Sequence, residues 1–220
     1  MKNAITMIAA TLMMVCTMNN KAAAQEDKGV NTARFGFMGG VNFSTLYTKD
    51  ADNAKALTGF NVGVFSNFPI TEFLSFQPEL YYTTKGGKVT YNNTFVDGTA
   101  QYKLDYLELP LLIQLNITHS FKVFAGPYAA YMMSGKVKNE SNVNLFNFED
   151  NLKVDDYNRM DAGVAAGIGV DFGSVSIGAR YNYGLTKVGK EKTFLGTKYT
   201  FPDASNSVLN FFVAVPLYKN

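Results

Sequence analysis

The chain reads as an all-β protein, an eight-stranded antiparallel up-and-down transmembrane β-barrel, and three observations predict it. From Arg34 onward, apolar and polar residues alternate with a period of two in one segment after another. Each segment is near or above the ~9–11 residues that a tilted strand needs to cross a bilayer. The connections alternate between short and long, which sorts the short turns to one end of a barrel and the long ones to the other.

Composition points the same way. The aromatic residues are all Phe and Tyr, with no Trp, and such residues favour strands and interfaces. Mean hydropathy is −0.05, as expected where lipid-facing and lumen-facing residues alternate and cancel. Charged residues make up 17%, below the ~25% usual for soluble domains. A formal net charge of +2 supplies no field that would draw nucleic acid or an acidic substrate.

The chain opens on a targeting segment, residues 1–24. Lys2 gives a positive start, Ala4 to Cys16 an apolar run, and Ala22 and Ala24 an A-x-A cleavage site before Gln25. The run is short for a transmembrane helix. Cys16 is the one cysteine. A lipidated Cys16 is the rival reading, and Val15 before it fits poorly because a small residue is usual there. Cleavage after Ala24 leaves a chain without a thiol, which excludes disulfides, thiol catalysis and cysteine-bound metal. Residues 25–33 read as a short polar lead-in and 34–220 as the barrel.

The strands follow in order. The first sets Phe35, Phe37, Val41, Phe43 and Tyr47 against Arg34, Gly36, Gly40, Asn42 and Ser44. The second sets Phe60, Val62, Val64 and Phe68 against Asn61, Gly63 and Asn67. In the third, Leu74, Phe76, Leu80 and Tyr82 oppose Ser75, Gln77, Glu79 and Thr83. The fourth, Tyr106 to Leu115, places Leu107, Leu109, Leu111, Ile113 and Leu115 on one face and Glu108 and Gln114 on the other. Pro110 shares the face of Glu108 and removes a ladder donor, so a bulge or a missing bond is expected there. The fifth sets Phe121, Val123, Ala125 and Tyr131 against Lys122, Gly126 and Tyr128. The sixth sets Met160, Ala162, Val164, Ile168, Val170 and Phe172 against Arg159, Asp161, Gly163, Gly167, Gly169 and Asp171. The seventh opposes Val175, Ile177, Tyr181 and Tyr183 to Ser176, Gly178, Arg180 and Asn182. The eighth opposes Leu209, Phe211, Val213, Val215 and Leu217 to Asn210 and Ala214.

Short turns are expected at Pro69 to Glu72, Asn116 to Ser120 and Asp171 to Ser174. Long polar loops are expected near 49–57, 86–100, 134–157 and 185–206. Phe35, Phe68, Phe73, Phe121 and Phe172 then fall near the short-turn end. Tyr47, Tyr82, Tyr131 and Tyr183 fall near the other, as two interfacial girdles would.

Four stretches taken together, "FQPELYYTTKG" (Phe76 to Gly86), "YLELPLLIQ" (Tyr106 to Gln114), "FAGPYAAYM" (Phe124 to Met132) and "DAGVAAGIGVDF" (Asp161 to Phe172), resemble the PorT-like outer-membrane β-barrel family of the Bacteroidetes. The resemblance runs from about Arg34 over the rest of the chain. It implies an eight-stranded barrel in the outer membrane and little about activity, although some members act in protein secretion and gliding. The C-terminus departs from outer-membrane barrels, which usually end on an aromatic residue. Here Tyr218 lies two residues before the end.

No catalytic, cofactor or metal site is read from the chain. The single histidine, His119, falls in a short turn that offers no cleft. "GIGVDFG" lacks the G-x-G-x-x-G spacing and opens no helix. Gly163, Gly167 and Gly169 are expected to make room in the lumen for bulky neighbours such as Tyr128 or Arg180. By parity Glu79, Glu108, Lys122, Asp161 and Arg180 all point inward. A barrel of this size is just wide enough for side chains to fill, so these charges should pair as a structural network. Arg180 is the first candidate cation for Glu79 and Glu108, with Lys122 and Arg34 next.

The expected function is that of a non-enzymatic outer-membrane barrel with a filled polar lumen and long surface loops. The expected partners are outer-membrane lipid and envelope or secretion proteins reached through 86–100, 134–157 and 185–206, and not nucleic acid. Leu145, Phe146, Phe148 and Leu152 in the longest loop either fold over the mouth or meet a partner. The alternatives are a component of a secretion or gliding machinery, a small-solute pore, and a soluble lipocalin-like carrier.

Overall fold

The computed structural model describes residues 33–47, 54–92, 97–141, 148–151, 157–189, 191–194, 197–200 and 204–217. The targeting segment with Cys16, most of the lead-in, and Leu145, Phe146 and Leu152 lie outside them, as does the side chain of Phe148. Thr32–Asn220 form one compact unit.

Eight long strands run β1 (Arg34–Tyr47), β3 (Leu57–Pro69), β4 (Leu74–Asn92), β5 (Asp97–Asn116), β6 (Phe121–Ser141), β8 (Met160–Phe172), β9 (Val175–Lys187) and β12 (Ser205–Pro216). Four short ones, β2 (Ala54–Lys55), β7 (Phe148–Asn151), β10 (Glu191–Phe194) and β11 (Thr197–Thr200), sit among the long connections. Each long strand pairs antiparallel with its neighbours, and β1 closes the ring by pairing with β12 as well as with β3. The result is a closed eight-stranded antiparallel barrel, whose ring has no free sheet edge among the described residues.

The period of two sets what faces where. On β5, Leu109, Leu111, Ile113 and Leu115 are 40–44% exposed while Glu108 is 0% exposed. The same inversion recurs around the ring, with Phe37, Val62, Val164, Ile168, Ile177, Phe211 and Val213 all turned out. An apolar belt of this extent is far beyond the few hundred Å² a soluble monomer exposes. Its solvent must be lipid, which is also why closure matters: a bilayer tolerates no unpaired strand edge.

The short turns carry local reasons. Thr71 Oγ1 accepts from the N–H groups of Phe73 and Leu74, and Thr118 Oγ1 accepts from those of Ser120 and Phe121. The same Ile-Thr pair thus builds two turns by side-chain-to-backbone bonding. The third turn, between Phe172 and Val175, uses Gly173 at φ +64°, where a side chain would be strained.

One expectation is corrected and one is narrowed. Among the described residues, the long connections are largely strand rather than loop. β4 and β5 stay paired from Gly86↔Lys103 to Asn92↔Asp97, β6 runs on to Ser141 with β7 alongside, and β10 and β11 form a hairpin of their own. The apolar signal stops where the lipid stops, but the ladder needs only backbone partners and strand formers such as Val89, Thr99 and Tyr102. Of the two outcomes expected at Pro110, a bulge or a missing bond, the structure has the missing bond. Pairing with β4 lapses over Leu109 and Pro110 and resumes at Tyr81↔Glu108 in unchanged register, while Pro110 stays opposite Tyr128 on β6. The proline removes a rung and shifts nothing.

The barrel lumen as the candidate functional site

Alternation delivers the inward residues, and register decides which of them meet. β4 contributes Gln77, Glu79, Tyr81, Thr83 and Lys85, and all are buried. β5 contributes Tyr106 and Glu108, β8 Asp161, and β9 Arg180 and Asn182, again all buried.

Two linked clusters result. In the first, Arg180 Nη1 bonds to Glu79, and Gln77 donates to the other oxygen of that carboxylate at 2.8 Å. The guanidinium lies over the rings of Tyr81 and Phe212, 5.0 and 5.5 Å from their centroids. Its Nε and Nη2 have no hydrogen-bond partner among the described residues, so the aromatic faces stand in part for one. In the second cluster Lys85 forms ion pairs with Glu108 and, at 3.1 Å, with Asp161. Its ammonium sits 4.6 Å from the Tyr128 ring centroid and 5.2 Å from that of Tyr106. Tyr81 joins the clusters, because its hydroxyl donates to Glu108 while its ring carries Arg180.

The charges nearly balance. Glu79, Glu108 and Asp161 give −3 and Lys85 and Arg180 give +2, a formal −1. Neutral donors meet the excess. Asn182 donates to Glu108, and Thr186 and Asn206 donate to Asp161 at 2.9 and 3.1 Å. Bonding of this kind is what makes buried carboxylates tolerable. A separate amide set ties the wall near β1: Asn61 and Asn210 both donate to Asn42 Oδ1, and Asn42 donates to Thr83 Oγ1 at 2.7 Å.

The residues singled out from sequence therefore divide. Glu79 and Arg180 meet directly. Glu108 and Asp161 meet through Lys85, and Arg180 is not the ion-pair partner of Glu108. Lys122 stands apart near the short-turn end, where it bonds to Asp171 at 2.6 Å and to Ser176 at 3.1 Å. Arg34 is exposed at the start of β1 and is no lumen cation. His119 lies exposed in its turn. Lys85 is not among the residues singled out from sequence, although 79, 81, 83 and 85 share one parity, because it falls at the last position before the expected loop 86–100. Of the three glycines, a Cβ at Gly163 would come 2.8 Å from the Tyr128 ring, at Gly167 2.6 Å from Phe124, and at Gly169 2.9 Å from Lys122. Gly167 is also the register partner of Arg180.

The lumen is thus packed with aromatic rings and paired charges. Above the lipid belt Tyr102 continues the packing. Burial, and Tyr157 beside it, raise its hydroxyl above the ordinary tyrosine value.

A family model described as "outer membrane protein beta-barrel domain" matches residues 23–189. Among solved structures, the chain is similar to the attachment invasion locus protein Ail of Yersinia pestis, at 14% identity and a TM-score of 0.47 over 85% of this chain and 100% of that one. Neisserial surface protein A gives 16% identity and a TM-score of 0.49 over 84% and 99%. OprG of Pseudomonas aeruginosa gives 13% and 0.33 over 84% and 91%. No curated protein sequence matches the chain.

Proposed function

Because this chain belongs to the outer membrane protein beta-barrel domain family, we propose that it is a sealed, non-enzymatic outer-membrane barrel that works through its outer surface rather than through its lumen. The observation that carries this reading is the lumen itself. Arg180, Lys85, Glu79, Glu108 and Asp161 are consumed by one another and by Tyr and Asn side chains, which leaves, among the described residues, neither a polar path nor a free nucleophile–base pair. The strand extensions of β4, β5 and β6 supply the working surface instead.

The cleaved signal peptide over 1–24 and the PorT-like placement belong to the same proposal and rest on the sequence motifs. A secretion role rests on that placement alone. Co-purification of the chain with a large envelope complex supports it, and an abundant free monomer counts against it.

Two measurements test the main reading. Protein from outer-membrane vesicles should migrate faster unheated than boiled, as folded barrels do. In planar bilayers it should give no steady conductance, and a stable open channel removes the sealed barrel.

A further inference from the structure

The closed ring gives way to the strand extensions at one rung. β3 pairs with β4 up to Asn61↔Thr83, and β6 pairs with β8 up to Tyr131↔Met160. Above those pairs β4, β5 and β6 run on together. β2 joins β4 only from Lys88, and β7 joins β6 only from Lys136. The rung Thr84–Asp105–Ser134 lies between. There the ladder is three strands wide among the described residues, with the eight-stranded ring below and β2, β4, β5, β6 and β7 above. So narrow a neck is the place where the two parts can open separately.

Asp105 stands at the centre of the neck, two residues above Leu107 on the outward face of β5. Asp is a poor strand former, and a half-buried carboxylate at the edge of lipid needs donors. It has one from each side, Thr84 Oγ1 at 2.8 Å and Ser134 Oγ at 2.9 Å.

Both donors are placed by the strands that carry them. Thr84 is 0% exposed. Its carbonyl accepts from the Asn42 amide on β1 at 3.1 Å, and a Cβ at Gly59 on β3 would come 2.5 Å from the same oxygen, so the ring holds Thr84 from below. Ser134 arrives through a β-bulge. Tyr106 pairs with Met132 but Asp105 pairs with Ser134, so β6 carries an extra residue at Met133. Below the bulge Met132 is buried; above it Gly135 is buried and Ser134, Lys136 and Lys138 are exposed. Without the extra residue Asp105 would face Met133, whose thioether has no hydrogen to donate, and Ser134 would turn to the lumen face. The bulge exchanges a thioether for a hydroxyl opposite the carboxylate.

We propose that this rung is a hinge between the barrel and the outer sheet, and that Asp105 is the clasp that locks it. With both hydroxyl bonds made, side chains as well as backbone tie the three strands together at the neck. Without the carboxylate only the backbone ladder crosses it, and the outer sheet opens while the barrel stays closed. The hinge depends on the ladder and not on a sealed lumen.

Amide hydrogen exchange of the full chain in nanodiscs reads the two parts separately. Asp105→Ala should raise exchange roughly tenfold or more over 86–92, 98–104 and 134–141. Leu107 to Leu115 and Phe121 to Ala130 should stay protected, and the melting temperature read by heat-modifiable migration should not move. Thr84→Val/Ser134→Ala removes both donors, keeps the carboxylate, and should reproduce the effect. Asp105→Asn keeps an acceptor oxygen and should restore part of the protection. Lys103→Gln, two residues up the same face, should change nothing, which separates a hydroxyl clasp from a charge effect. Unchanged exchange of the outer sheet in the folded Asp105→Ala and double donor variants overturns the clasp. Exchange that rises equally in the barrel strands overturns the hinge and makes Asp105 an ordinary contributor to barrel stability.

Discussion

At the scale of single residues, the lumen shows how little formal charge decides without register. Lys85 and Lys88 are three apart in one strand, yet one is 1% exposed between two carboxylates and the other faces outward opposite Lys55. Replacing Lys85 with Met strands Glu108 and Asp161 beside each other, and loss of one partner from a buried ion pair costs about 3–5 kcal/mol. Lys88→Met removes an outward charge and should stay within about 0.5 kcal/mol. Thermal unfolding in detergent, read by heat-modifiable migration, distinguishes them; equal melting temperatures would mean that Lys85 is not the keystone of its cluster. The same assay applies to arginines. Arg180→Ala should lower the melting temperature more than Arg159→Ala, because Arg180 is 1% exposed and bonded to Glu79 whereas Arg159 reaches the Tyr131 hydroxyl at 2.9 Å in a partly buried setting. An equal or smaller loss at Arg180 counts against the network.

At the scale of the element, what was legible in the sequence was whatever lipid wrote there. Val164, Ile168 and Phe172 alternating with Gly163, Gly167 and Asp171 announced β8 and its inner face, because one side meets hydrocarbon and the other does not. Above the lipid that contrast vanishes, so the sequence pattern places a loop at 86–100 where β4 runs on to Asn92. The partner of Glu108 was missed for the same reason. The bulge at Met133 was illegible too, since an extra residue shows only once β5 supplies the register. It makes a sharp prediction. Deleting Met133 forces Ser134, Lys136 and Lys138 toward the lumen face, so the extension of β6 should unpair rather than invert. Amide hydrogen exchange over 134–141 should then rise markedly while that of Phe121 to Ala130 stays protected. Retained protection above the deletion would show that the bulge is dispensable. Gly163→Val probes the other wall. Its Cβ would lie 2.1 Å from the backbone oxygen of Tyr183 as well as 2.8 Å from the Tyr128 ring, so the ladder must shift and the cost should exceed the ~1–3 kcal/mol of side-chain overpacking. A Tyr128→Ala background should relieve only the part due to the ring, read as a double-mutant cycle in thermal unfolding, and full relief would mean that the Tyr183 backbone yields freely.

At the scale of the whole molecule, the proposed seal is a stack of pairings rather than one gate. Phe124 and Phe212 pack with ring centroids 6.0 Å apart, Arg180 lies over Phe212 and Tyr81, and Lys85 fills the space between Tyr106 and Tyr128. Removing a charge alone therefore leaves aromatic rings in the way, and removing a ring alone leaves a charge pair that holds its neighbours. Conductance should accordingly respond to combination and not to single substitutions. Glu79→Ala/Arg180→Ala takes out a neutral pair together, which avoids a stranded buried charge and should cost less stability than Arg180→Ala alone. It still leaves Phe212, so planar bilayers should stay silent. Adding Phe212→Ala to that pair removes the ring under the guanidinium and should give a small, noisy, voltage-independent current from a barrel that still shows heat-modifiable migration. A wild-type channel would defeat the sealed lumen outright. Silence in the folded triple variant would place the seal higher, at Lys85 with Tyr106 and Tyr128, and the corresponding Lys85→Ala/Glu108→Ala/Tyr128→Ala variant would then have to conduct.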